Sequence, residues 1–393
     1  MSKWLNALLV AGALIAPVAQ AANDDPIVLV HGFGGWGRDE VFGYKHWGGT
    51  LDLQEYLKGQ GYMTYTVAMG PTSSNWDRAV EAYYQIKGGC VDYGAAHAAK
   101  HGHARYGRCY TALDPQWDSS HRVHLISHSQ GAQTSNMLIE LLRNGSADER
   151  LATGNGTAEL FMGGKDWVRS NTTVAGANNG TTFGMLTSFN EFAKTLLKGV
   201  AAFLGASGAD GLPYDFKLDQ WGLKRQAGET QASYWNRVWS SSIWSSKDVA
   251  LYDLSPEGAA ALNQWVKTSP EVYYFSYTSG TTFRELFTGN QLPDLSTNLV
   301  LAPFAAGMGA YRNYGSAWLQ NDGVVNTYSM KAPFGAPVVD YNGTAVKGKW
   351  NYLGFMQADH WDVIGSGDFL RNLTSNDYLR NFYLTQAKRL KAL

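Results

Sequence analysis

The stretch Val123-His-Leu-Ile-Ser-His-Ser-Gln-Gly131, with the residues behind it up to Leu142, decides how this chain is read. Val123 to Ile126 is a short apolar run of the kind that forms a strand buried on both faces of a parallel sheet. From Thr134 to Leu142, Met137, Leu138, Leu141 and Leu142 recur at helical steps. Strand, tight turn and helix in succession are the unit of an α/β sheet. Ser129 stands at the centre of that turn. A serine is a poor nucleophile until a base takes its proton, and a strained strand-to-helix turn exposes it and supplies an oxyanion donor together. The pattern is G-x-S-x-G with Ser127 in place of the first glycine and Gly131 kept. Backbones pack closely two positions either side of the nucleophile, and a serine is small enough to serve there.

Upstream, Pro26-Ile-Val-Leu-Val30 repeats the buried-strand pattern and runs into His31-Gly-Phe-Gly-Gly35. The backbone N–H of Phe33 in that loop and the N–H of Gln130 after the serine are the expected oxyanion donors. A glycine-rich strand exit can also cradle phosphate, but no G-x-x-x-x-G-K-S/T accompanies it. Downstream, the order of such a sheet is serine, acid, histidine, and of nine histidines only His360 follows Ser129. It is the expected base. For the acid, Asp322 in Trp318-Leu-Gln-Asn-Asp-Gly323 is best placed, with Asp340 and Asp359 as lesser candidates on spacing alone. Further strands are expected over Val272 to Tyr277 and Tyr352 to Met356. A closing amphipathic helix is expected from Tyr378 to Leu390, with Leu379, Phe382, Leu384 and Leu390 in the core. Residues from Asp77 to Arg108 and from Asn178 to Ser255 do not alternate simply between strand and helix and read as insertions on the sheet core.

A chain of 393 residues that is 45% hydrophobic can bury a large core. Lys plus Arg is 32 against Asp plus Glu at 33, so the net charge of −1 gives no electrostatic case for nucleic acid or an anionic membrane. Met1 to Ala21 carries Lys3, an apolar run from Leu5 to Val18 and the exit Ala19-Gln-Ala21, which reads as a cleaved secretory signal. Its removal takes the formal charge from −1 to −2. No later stretch is long and apolar enough to span a bilayer. Export permits a disulfide, and with only two cysteines the one possible pair is Cys90 with Cys109.

Further segments resemble one family. Pro26 to Phe33, Trp36-Gly-Arg38, Ser74-Asn-Trp-Asp-Arg78, the histidine-rich Val91 to Arg105, Tyr214 to Leu223 and Trp318 to Gly323 are similar to the thermoalkaliphilic bacterial lipases of the Geobacillus and staphylococcal group. The resemblance runs over essentially the whole chain after Ala21. It implies an α/β-hydrolase fold, with a central mostly parallel sheet, flanking helices, a zinc-bearing insertion and a helical lid. It also implies triacylglycerol hydrolysis at an oil–water interface, and it selects Asp322 as the acid.

Asp77, His97, His101 and His103 form a cluster whose donors suit tetrahedral zinc, although spacing alone leaves open which histidines bind. The family pattern selects Asp77, His97 and His103, with Asp248 as fourth ligand. Four protein ligands make such a zinc structural. The same pattern implies a calcium ion at Asp362 and Asp368 with a backbone carbonyl near Ser296, completed by water. Here the chain departs from the family, lacking its Asp-Pro pair and carrying Asp362 where a glutamate is usual. From Met185 to Leu204, apolar residues at three- and four-residue steps lie between Asn178-Asn-Gly180 and Gly205 to Gly211, the expected lid and hinges, within bounds of about 178–210. A secreted carboxylesterase or polyester depolymerase with the same triad is the alternative activity. A non-catalytic lipid-binding homologue is a third reading, against which the intact Ser129, Asp322 and His360 set argues.

Overall fold

The computed structural model describes residues 22–186, 191, 214–366 and 376–393. The leader, most of the expected lid and Asp368 lie outside the described residues. Seven strands form one parallel sheet: β1 (Ile27–Val30), β2 (Thr64–Val67), β5 (Val123–His128), β6 (Val168–Val174), β7 (Tyr273–Ser279), β10 (Val338–Asp340) and β11 (Trp350–Met356). Their spatial order is β10-β11-β7-β6-β5-β1-β2. Two antiparallel hairpins stand outside it, β3 (Gly89–Asp92) with β4 (Tyr106–Tyr110) and β8 (Thr282–Arg284) with β9 (Gln291–Pro293).

Alternation along β1 explains the three layers. Val28 and Val30 face a core with Val123 and Leu125 of β5, closed by Val80, Tyr83 and Ile86 of the helix Asn75–Lys87 and Leu138 and Leu142 of the helix Gly131–Asn144. Ile27 and Leu29 point the other way, against Ile126, Phe275 and the C-terminal helix Asn376–Lys391 through Leu379, Tyr383 and Leu390. Each such side chain, fully buried, contributes about 1.5–3 kcal/mol. The expected strands and the two expected helices are all present, with ends shifted by a few residues. Within the last helix, Phe382 and Leu384 are only half-buried, and Tyr383 and Ala387 take the core positions instead.

The helix Asn75–Lys87, at the start of the segment expected as an insertion, packs on the central sheet. In Asn178-Asn-Gly180, expected as a hinge, the Asn178 side chain donates to the Met330 carbonyl at 2.9 Å and the Asn179 side chain to those of Ser329 and Ala332. A Cβ on Gly180 would meet the Ser255 carbonyl at 2.6 Å.

Cys90 and Cys109 are joined across the β3–β4 ladder, where they are register partners. A bridge with a sequence separation of 19 removes unfolded-state freedom, and the corresponding stabilisation is roughly 3 kcal/mol. Cys90→Ala/Cys109→Ala is therefore expected to melt roughly 3–8 °C lower than the wild type in a calorimetric scan. An unchanged midpoint would show that the hairpin is held by its other contacts alone.

Candidate active site

The C-terminal ends of the sheet strands gather the expected residues, as ligand sites in such sheets do. Ser129 follows β5 at φ 58°, the left-handed conformation that a β-carbon disfavours, and the helix Gly131–Asn144 starts directly after it. The close packing that demands small neighbours is visible. A Cβ on Gly131 would lie 2.5 Å from the Val30 carbonyl, and one on Gly32 would lie 2.5 Å from the Ser129 Cβ. The loop that carries Phe33 is thus pressed against the serine. Among the described residues the Gln130 N–H has no acceptor, which leaves it available to an oxyanion. Ser127 Oγ reaches Asn171 Oδ1 at 3.3 Å inside the sheet, away from any nucleophilic role.

His360 sits on the loop after β11, and its Nδ1 lies 2.8 Å from Asp322 Oδ2. Both are buried. The same carboxylate oxygen accepts from Ser279 Oγ at 2.8 Å at the end of β7, and Oδ1 accepts the N–H groups of Val324 and Val325. The His360 N–H in turn donates to the Asp322 carbonyl at 3.0 Å. The competing acids are elsewhere. Asp340 is exposed, and Asp359 spends its carboxylate on the N–H groups of Asn298, Trp361 and Asp362. Burial pushes the Asp359 carboxyl up to about 6. No hydrogen bond joins Ser129 Oγ to His360 among the described residues, a contact that often tightens only when substrate is bound.

His128 is a residue the sequence reading passed over. Its Nε2 faces the His360 carbonyl at 2.9 Å and its ring packs on the His360 ring with centroids 4.4 Å apart. Burial holds its pKa well below the usual value, so the ring is neutral and Nε2–H is the donor. It ties the residue before the serine to the loop of the base. Beside Ser129 opens a cavity of about 450 Å³, walled by Phe33, Phe183, Met185, Leu251 and Val324. Its lining is mostly apolar, with Ser129 at its edge and Thr181, Ser246, Lys247 and Ser255 among its polar members.

A family model for a lipase-like C-terminal domain matches residues 23–392. The chain belongs to that family. Among curated relatives, the lipase of Staphylococcus hyicus is 38% identical over 370 residues, 92% of this chain and 56% of the relative. The chain thus spans about half the length of the curated relatives it matches. Among solved structures, EstA from Clostridium botulinum superposes with a TM-score of 0.90 at 41% identity, covering 95% of this chain and 89% of that one. Lipase 1 from Pelosinus fermentans gives 0.84 at 43% identity, with 94% and 99% covered.

This lipase-like domain carries a second cluster. Asp77, His97, His103 and Asp248 each offer a donor atom within 4.8 Å of the others. His97 Nε2 lies 3.3 Å from Asp77 Oδ1 and 3.2 Å from Asp248 Oδ1, and His103 Nε2 lies 3.1 Å from Asp248 Oδ2. Three of the spacings approach the edge of a tetrahedron whose ligands stand about 2.0 Å from a central ion, about 3.3 Å, while His103 Nε2 to Asp77 Oδ1 is wider at 4.0 Å. His97 Nε2, His103 Nε2, Asp77 Oδ1 and Asp248 Oδ2 are buried without a hydrogen-bond partner, a costly arrangement that a cation between them would resolve. Burial, and then the facing Asp248, push the Asp77 carboxyl up; burial works the same way on Asp248, but the two histidines outweigh it and hold it well down. The surroundings orient the donors: Asp77 Oδ2 accepts from Gln220 at 2.7 Å, His103 Nδ1 faces the Ala104 carbonyl at 2.9 Å, and Trp76 stacks on His97. His101 is outside this group. Of the residues expected to hold calcium, Ser296 and Asp362 are described. Ser296 gives its N–H and hydroxyl to Asp294, Asp362 accepts the Asp359 N–H, and Asp368 is outside the described residues.

Proposed function

We propose that this protein is a secreted lipase that hydrolyses acylglycerol esters through an acyl-enzyme on Ser129. The observation that carries the reading is the buried Asp322–His360 pair beside a positive-φ serine that opens on an apolar cavity. Asp322 keeps the His360 proton on Nδ1, leaving Nε2 basic toward Ser129. Ser129 Oγ attacks the ester carbonyl as His360 takes its proton, and the N–H groups of Phe33 and Gln130 hold the oxyanion. His360 then protonates the leaving alcohol, and a water molecule activated by the same imidazole releases the fatty acid. The cavity takes the acyl chain, and a lid over residues 178–210, with its moving part beyond the fixed Asn178–Gly180 turn, would cover it in water.

The same reading assigns zinc to Asp77, His97, His103 and Asp248. Two imidazoles and two carboxylates suit that ion, and a full set of protein ligands leaves it a cross-link with no open position. Calcium at the Ser296 carbonyl, Asp362 and Asp368 belongs to the proposal as well; the buried Asp362 carboxylate is the hard donor such an ion requires, on the turn following His360. Met1 to Ala21 is assigned as the export signal.

The test is a comparison of rates on emulsified long-chain triglyceride, a dissolved short-chain ester and polyester film. The lipase reading expects the emulsion to be turned over fastest. Dominant action on the dissolved ester or on the film would transfer the assignment to an esterase or a depolymerase. Asp322→Asn is expected to lower kcat by about 10⁴-fold with little change in KM, since it spoils the tautomer and leaves the pocket intact. A loss under about tenfold would remove Asp322 from the role.

A further inference from the structure

The β8–β9 hairpin ends in an unusual turn. Leu286 is 93% exposed and Phe287 98% exposed, beside Phe283 at 52%. A flexible loop would fold such side chains away, but this turn is held from within. Glu285 Oε1 accepts the Phe287 N–H at 2.6 Å, and its Oε2 accepts the Thr288 N–H and hydroxyl. The Gly289 N–H donates to the Glu285 carbonyl, the Glu285 N–H donates to that of Asn290, and Arg312 clamps the Thr288 carbonyl at 2.7 Å. Glu285 and Arg312 are thus spent on the backbone of the turn, while Arg284 is exposed beside it, and the two apolar side chains are presented outward.

The hairpin is continuous with the candidate active site. At its base, the Thr281 N–H donates to the Asn321 carbonyl, next to Asp322, and the Thr281 carbonyl accepts from Asp294 and Thr297. The neighbouring Asn298 N–H is held by Asp359, next to His360. The helix Ala302–Ala310 packs on β9 so closely that a Cβ on Gly309 would run into the Gln291 backbone. From that helix, Phe304 packs on Phe183 of the cavity wall, with ring centroids 4.9 Å apart and the planes tilted by 44°. Residues 295–311 contain no Asp, Glu, Lys or Arg, and Leu299 among them is 63% exposed. Beyond Arg284, Glu285 and Arg312 at the turn itself, an uncharged and partly exposed apolar segment therefore runs from the hairpin to the helix beside the cavity wall.

We infer that the Leu286–Phe287 tip and this segment seat the protein on an uncharged lipid surface, a fixed anchor separate from the lid that holds the cavity mouth against an oil droplet. The inference rests on the lipase reading for the identity of the surface. Exposed apolar patches of this kind mark interaction sites. A surface without charge gains nothing from a basic patch, and residues 295–311 carry none.

The test compares wild type with Leu286→Ser/Phe287→Ser, both positions outside the catalytic machinery. Adsorption to triolein droplets is measured by flotation, and turnover of dissolved p-nitrophenyl butyrate is measured separately. Adsorption is expected to fall at least about tenfold, from the lost burial of two large side chains, while turnover of the dissolved ester is unchanged. Undiminished adsorption would overturn the inference. So would sedimentation showing a wild-type dimer that the double variant dissolves, because the tip would then be covered by a second copy. A wild type inert toward both the dissolved ester and emulsified triglyceride would sink the hydrolase reading, and the adsorption ratio would still decide the anchor.

Discussion

Ser129→Ala is expected to abolish hydrolysis of emulsified triglyceride, with kcat lowered by about 10⁴-fold or more. The side chain lost is a single hydroxyl. The backbone around it is held by contacts that do not involve Oγ: the helix starting at Gly131, the close approach of Gly32, and the Ala177 N–H bonded to the Ser129 carbonyl. The fold should therefore survive within about 1 kcal/mol, readable as a nearly unchanged denaturation midpoint. The nearest other hydroxyl on the strand, Ser127, is buried and directed at Asn171, so it offers no substitute. Labelling with an organophosphonate should stop together with turnover. Retention of more than about a hundredth of the wild-type rate would show that another group is the nucleophile.

The parts of this fold that the sequence announced are those where hydrophobicity and burial coincide. β1 is a run of Ile, Val and Leu, β5 carries Val123, Leu125 and Ile126, and the strand, turn and helix around Ser129 follow each other without interruption. β6 shows why hydrophobicity alone fails. Its Ser170, Asn171, Thr172 and Thr173 carry no hydrophobic strand signal, yet all are fully buried at the sheet centre. Their polar groups are satisfied across the layers, with Asn171 donating to Asn136 and accepting from Ser127. Such partners lie far apart in the chain, so no local pattern reports them. The acid posed the same difficulty. Spacing could not separate Asp322 from Asp359, because the choice depends on which loop end meets His360 in space and which is consumed by backbone N–H groups. The support that His128 gives to His360 was likewise invisible, being a contact between residues 232 positions apart.

Removing a metal ion from the Asp77, His97, His103 and Asp248 cluster is expected to have the largest effect on stability. Two carboxylates and two imidazoles converge there with donor atoms that have no hydrogen-bond partner. Without a cation, the buried carboxylates oppose each other, and breaking such a compensated buried arrangement costs about 3–5 kcal/mol. Structural metal sites can be worth more, since binding free energy there is folding free energy. The cluster joins parts of the chain distant in sequence. Asp77 lies in the first turn of the helix Asn75–Lys87, His97 and His103 lie on or just after the helix Ala95–His101, and Asp248 is carried by the segment that pairs with Ser73 through Val249. The first of these helices also feeds the active-site loops: Arg78 donates to the carbonyls of Gly70 and His31, and Gln130 donates to that of Ser73. Treatment with phenanthroline should lower the melting temperature by about 10 °C or more and reduce activity only as that loop support loosens. Added zinc should restore both, with elemental analysis returning one equivalent per chain. His103→Ala should reproduce the melting shift without any chelator. If instead the protein contains no bound metal and melts unchanged after chelation, the four residues form an ion-pair cluster, and the insertion is held by the disulfide and its packing.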